Sequence, residues 1–176
     1  MKRRLAALLG ATLMWGLAAC SAQPGTALEV DGVRYSEDQV SQASAELTAF
    51  FGEAVPQSVI VSFLGIAPSV DEVAQEAEAG VSDSDVRNLM AEEAKAAGVE
   101  LSSTSIRALR TNVEINALQK KTDPQAVVGV ITEKQKQRNM VVNPRYGVVN
   151  EDGMLTPPVL NGVLDARKLL PPMPAN

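Results

Sequence analysis

The sequence predicts a mainly α fold of the α+β class, in which helices carry a small antiparallel sheet. Three observations lead there. Apolar residues recur at helical spacing through most of residues 37–138. Two short alternating runs near the start flank Asp31-Gly32, a hairpin signal. The aromatic content is only 3 %, so the core must be aliphatic and Ala-rich, which suits close-packed helices better than a β-sandwich.

In chain order, residues 28–35 read as the hairpin, with Asp-Gly supplying the positive φ of a tight primed turn. Two strands alone are marginal and need a third strand or a helix to lie on. Ser36 with Gln39 three residues on is a capping-box pattern, and Glu37 and Asp38 suit the positive helix start. A helix over about 37–52 follows, with Val40, Ala43, Leu47 and Phe50/Phe51 on one face. Pro56 opens the next segment, whose stripe (Val59/Ile60, Phe63, Ala67, Val70, Ala74, Ala77) stays in phase across Pro68 to Gly80. A proline there removes a hydrogen bond to the Leu64 carbonyl, so either a kinked helix or two helices end to end are expected.

Gly80-Val81-Ser82 and Gly98-Val99 with Ser102/Ser103 repeat one punctuation. Each glycine can end a helix in the left-handed region and each serine can cap the next. They delimit a helix over about 83–97 with Val86, Leu89, Met90, Ala94 and Ala97 inward. Another covers about 104–121 with Ile106, Leu109, Val113 and Ala117 inward. Asp123-Pro124 starts a last helix to about Arg138, rich in β-branched Val127, Val128, Val130 and Ile131. Met140-Val141-Val142 reads as a strand, Asn143-Pro144-Arg145-Tyr146-Gly147 as a turn, and Val148-Val149 as extended again. Pro171-Pro172-Met173-Pro174 ends a loose tail within a C-terminal extension, 151–176.

Chemistry is scarce. With 0 histidines, the usual general base, metal ligand and imidazole triads are excluded. No phosphate-cradling glycine loop or nucleophile elbow is present. Asp83-Ser84-Asp85 starts like a calcium loop, but its fifth and twelfth positions are Arg87 and Ala94, so a helix start is favoured. Glu72, Glu76, Glu78 and the pair Glu92-Glu93 read as solvated helix faces rather than acid/base carboxylates. Lys134, Lys136 and Arg138 read the same way rather than as a nucleic-acid contact. The formal net charge of −5 offers nothing to nucleic acid or anionic lipid. No catalytic residue, cofactor or metal is assigned.

The amino terminus carries Lys2, Arg3 and Arg4, then an apolar stretch over 5–17, an export-signal pattern too short to span a membrane. It ends in Leu17-Ala18-Ala19-Cys20, which resembles the lipobox of bacterial lipoproteins. That resemblance implies cleavage between Ala19 and Cys20 and lipidation of Cys20, the only cysteine, with acyl chains such as palmitate holding the protein on the extracytoplasmic face of the cell membrane. Residues 1–19 are then the signal and 20–27 the lipidated cysteine and tether, reaching at most about 25 Å.

The run of residues 27–36 (Ala-Leu-Glu-Val-Asp-Gly-Val-Arg-Tyr-Ser), the Gly80-Val81-Ser82-Asp83-Ser84-Asp85-Val86 step and the Asn143-Pro144-Arg145-Tyr146-Gly147 turn resemble, in that order, the SurA-type N-terminal chaperone domain as found in small exported actinobacterial-type lipoproteins. The resemblance covers about 28–150. It implies splayed helices and a hairpin that pairs with a strand near the C-terminus, with Val141-Val142 as the candidate. The parvulin isomerase module is absent, since there is no histidine and no room for it after 104–121. What remains implied is a holdase binding unfolded or exported polypeptides in an apolar groove, with Phe50, Phe51, Phe63, Leu64 and Met90 as candidate contacts. The alternative is a structural lipoprotein docked on one cell-envelope protein.

Overall fold

The computed structural model describes residues 24–156. The leader, Cys20, most of the tether and the Pro-rich tail lie outside the described residues. Strand β1 (Thr26–Val30) turns through Asp31 (φ 48°) and Gly32 (φ 82°) into β2 (Val33–Ser36), the paired positive φ values that match the twist of a two-residue hairpin. The register is Glu29↔Arg34 and Val30↔Val33, with an irregularity between Thr26 and Leu28 that leaves Ala27 as the extra residue. Strand β3 (Met140–Val142) pairs antiparallel with the other edge of β1, Leu28 opposite Val142 and Val30 opposite Met140. The order is therefore β2-β1-β3, and the expected union of hairpin and C-terminal strand is present.

Five helices complete a mainly α, α+β fold: α1 (Glu37–Phe51), α2 (Gln57–Glu76), α3 (Asp83–Ala96), α4 (Ser103–Lys121) and α5 (Pro124–Gln135). Ser36 and Gln39 form the capping box at the start of α1, and Gly52 (φ 73°) ends that helix in the left-handed region. Ser82 and Asp85 form a second box at α3, Ser102 caps α4, and Asp123 caps α5 with Pro124 just inside. One continuous helix, α2, crosses Pro68, so the alternative of two helices end to end is excluded.

Helix α2 is the spine. It packs on β1, α1, α4 and α5, and buries Ile60, Val61, Leu64, Val70 and Val73 among others. The main core gathers Leu28, Val40, Leu47, Leu64, Val86 and Ile106 from five elements; a second, smaller core joins Val70 and Val73 to Leu118, Val127 and Ile131. Gln135 is fully buried between α2 and the last hairpin. Its amide accepts from Ser69 Oγ (2.7 Å) and donates to the Gly65 and Gly153 carbonyls (3.3 and 3.1 Å), so its polar atoms are satisfied.

Several expectations are corrected. Leu89 is 60 % exposed and Ala97 is exposed, because α3 packs chiefly against α4 and only the Val86–Met90–Ala94 stripe is covered. Gly80 does not take the left-handed region; Glu78 does (φ 51°), two residues earlier. Helix α5 stops at Gln135 rather than Arg138, and Ala77, expected on the α2 stripe, faces solvent. Thr26 and Ala27 belong to β1 rather than to a tether. The segment after 150 is not all tail: β5 (Leu155–Thr156) pairs with β4 (Val148–Val149), and Leu155 packs on the main core.

Candidate functional site

Two features stand out from this frame. The first is a groove of about 300 Å³ between α3 and the segment entering α4. Its apolar lining is Met90, Ala94, Val99, Leu101 and Ile106, and Arg87, Lys95 and Glu100 mark its polar part. The groove exists because α3 reaches the body through a narrow stripe: Val86 is its single buried residue. Arg87 Nη1 donates to the Leu101 carbonyl (3.0 Å), tying the first half of α3 to the segment that leads into α4.

Of the five expected contact residues, only Met90 lines this groove, half-buried. Leu64 has 0 % exposure and belongs to the main core, since α2 is covered there from several sides. Phe63 and Phe50 are half-buried against the same core. Phe51 is 52 % exposed and meets Phe50 edge to face, ring centres 4.9 Å apart. The five do not form one surface.

The second feature is a polar cluster where α2, α4 and the start of α3 meet. Arg107 bonds Asp71 through two nitrogens (3.0 and 2.6 Å), the planar fork that guanidinium presents to carboxylate. Arg110 reaches Asp71 (3.1 Å), Asp83 (3.2 Å) and Glu114 (3.2 Å). Glu114 is fully buried; its Oε1 accepts from the Val81 amide (3.1 Å) and its Oε2 has no partner. Burial pushes the Glu114 carboxyl group up and the nearby Asp71 carboxylate adds to the rise, while the Val81 amide and Arg110 pull it down. For Arg110, burial works to lower the pKa and is outweighed by Asp83, Asp71 and Glu114.

Sequence reasoning missed Glu114. The signal was present: Glu114 lies one helical turn from Leu118, so the phase that places Leu118 inward places Glu114 inward too. Of the carboxylates that were noted, Glu72 and Glu76 serve the scaffold. Glu72 pairs with Lys134 (2.6 Å) and Arg138, and Glu76 with Lys134 (2.8 Å), joining α2 to α5 and to the chain beyond it. Lys136 pairs with Glu133 and Asp152, and Arg138 also with Asp31. Asp85 is held in its capping box and Asp83 by Arg110. Among the described residues there is no group of three or more His, Cys, Asp or Glu side chains able to hold a metal, and no helix is long and apolar enough to cross a membrane.

At the other end of α4, Glu46 of α1 accepts from the Ser102 amide (2.8 Å) and Ser105 Oγ (2.5 Å). Burial works to raise the Glu46 pKa, but these bonds and Gln42 outweigh it and hold it below the ordinary carboxylate value.

No protein-family model matches the chain, and neither the curated proteins nor the solved structures contain a significant match.

Proposed function

We propose that this protein is a membrane-anchored, non-enzymatic lipoprotein that holds unfolded or exported polypeptide segments at the outer face of the cell membrane, in the manner of a SurA-type N-terminal domain without an isomerase module. The observation that carries the reading is the groove lined by Met90, Ala94, Val99, Leu101 and Ile106 on a helix with a single buried side chain. A client side chain seated there gains about 25 cal/mol per Å² of apolar surface buried, before the cost of association, and the groove is small. That supports weak, exchangeable contact, which suits a holdase that releases its clients. Flexible Met90 accommodates side chains of different shape.

The anchor rests on Cys20 and its flanking Leu17-Ala18-Ala19. A net charge of −5 gives no attraction to anionic headgroups, so retention depends on acyl chains, and two or more anchor stably where one does not. Residues 21–176 are expected to slow aggregation of an unfolded client at near-stoichiometric ratio; no effect at large molar excess rejects the holdase. Cys20→Ala is expected to release the protein from membranes or leave it unprocessed, and normal processing with unchanged retention rejects the anchor.

A further inference from the structure

We propose that the groove selects its clients by charge: it takes a short aliphatic stretch of extended polypeptide flanked on both sides by acidic residues, one carboxylate meeting Arg87 and the other Lys95. The inference rests on the groove reading and adds to it the class of segment bound. Its ground is where the fold leaves its cations. Arg107, Arg110, Lys134, Lys136, Arg138 and Arg145 each face a carboxylate within the fold. Arg87 and Lys95 face none among the described residues, and both line the groove. Lys120 and Lys121, also without a carboxylate, stand in the last turn of α4 and do not line it. Arg87 uses Nη1 on the Leu101 carbonyl, which fixes its guanidinium at the rim and leaves the other N–H donors for a ligand.

The spacing agrees with two anionic groups rather than one. Arg87 and Lys95 are separated by about 12 Å along the axis of α3, at about 1.5 Å per residue. An extended chain covers that distance in about four residues. Between the two cations α3 presents Met90, Ala91 and Ala94, and Leu101 and Ile106 complete the apolar lining. A fatty-acyl chain carries one carboxylate and leaves the second cation unmatched, whereas a peptide can carry an acid at each end. Glu100 is the one carboxylate in the lining, so two cations against one acid leave the rim locally positive on a chain of net charge −5. Glu92 and Glu93, also on α3, do not line the groove.

The test is binding of three labelled peptides to the full chain in nanodiscs of zwitterionic phospholipid, read by fluorescence anisotropy with empty nanodiscs as the blank. The peptides share one run of three aliphatic residues and differ only in the residue on either side of it, Glu, Gln or Lys. An exposed ion pair changes affinity by about two- to fivefold, so the Glu-flanked peptide, with two such pairs, is expected to bind about tenfold more tightly than the Gln-flanked one, and the Lys-flanked one most weakly. Added salt is expected to weaken the Glu-flanked peptide, the reverse of its effect on repulsion between two net-negative molecules. The Lys95 side chain has no hydrogen-bond or ion-pair partner among the described residues, so Lys95→Glu leaves the groove intact. That variant is expected to lose affinity for the Glu-flanked peptide and gain it for the Lys-flanked one. Equal binding of all three by the parent, or an unchanged order in Lys95→Glu, overturns the charge selection and leaves the groove reading standing. Decanoate that competes as well as the Glu-flanked peptide overturns the choice of a polypeptide. Binding of none of the three refutes the groove reading and the selection with it.

Discussion

Leu64 and Met90 lie on adjoining helical layers, and truncating each separates the core from the proposed client site. Leu64 has no exposed surface and packs in the main core with side chains from β1, α1 and α4. Leu64→Ala removes buried methyl and methylene groups and leaves a cavity that rigid neighbours on several elements close poorly. The expected loss is about 2–5 kcal/mol. For a domain of this size each kcal/mol lowers Tm by about 2–4 °C, so a loss near 3.5 kcal/mol lowers it by about 7–14 °C. Met90 is half-buried at the groove, and Met90→Ala is expected to cost about 1 kcal/mol or less. Urea and thermal unfolding followed by circular dichroism give both stabilities, and client retention is measured well below either Tm. Met90→Ala is expected to weaken client binding with a near-native Tm, and Leu64→Ala to lower Tm with binding preserved. A Leu64→Ala variant within 1 kcal/mol of the parent would sink the assignment of Leu64 to the core. Binding lost in Leu64→Ala but untouched in Met90→Ala would sink the groove.

Two other perturbations have definite outcomes. Gly153 sits at φ 72°, and a Cβ there would lie 2.7 Å from the Gln135 carbonyl oxygen, so Gly153→Ala is expected to cost about 1–3 kcal/mol and to loosen the β4–β5 hairpin; Gly65→Ala meets only the Met140 sulfur at 2.8 Å, a side chain that can turn, and costs less in the same unfolding assay. The stability difference between Glu114→Gln and the parent is expected to be flat below the ordinary carboxyl range and to grow in favour of the variant as pH rises, because a raised folded-state pKa is a penalty that builds up with pH; a difference independent of pH refutes it.

How much was legible follows the range of each cause. The hairpin and the caps are set within four residues, and Asp31-Gly32, Ser36–Gln39 and Asp123-Pro124 each did what their chemistry implies. Burial of a whole helix face is set by how many neighbours arrive, which periodicity does not report. Helix α4 has α1, α2, α3 and α5 around it and buries even Glu114 and Thr111. Helix α3 has chiefly α4, and leaves Leu89 outside. The two-residue strands β4 and β5 carry no period; β5 is fixed by pairing and by Leu155 entering the core, facts decided at long range. The expected contacts were chosen as large apolar residues, and their fates divide: Leu64 goes wholly to the core, Phe50 and Phe63 are half-buried against it, Phe51 stays exposed and Met90 lines the groove.

The placement of β1 makes one more consequence testable. It is the middle strand, bonded on both edges, and Ala27, Leu28 and Val30 are buried at 1 % or less. It begins at Thr26, so only residues 21–25 separate it from Cys20, a reach of about 18 Å. The acyl anchor proposed at Cys20 would therefore pull on a strand that cannot leave without breaking β2 and β3 pairing together. At the other extreme, α3 buries Val86 alone and is otherwise held by half-buried Met90 and Ala94, the Arg87–Leu101 bond and the Val81–Glu114 and Asp83–Arg110 contacts at its start. Local opening is cheapest where buried contacts are fewest. Amides of β1 bonded within the sheet are expected to exchange only through global unfolding, and α3 amides through a smaller opening that urea barely affects. If β1 exchanges as readily as α3, the anchored strand is not the rigid base of the fold, and a mobile α3 on a fixed base loses its physical ground.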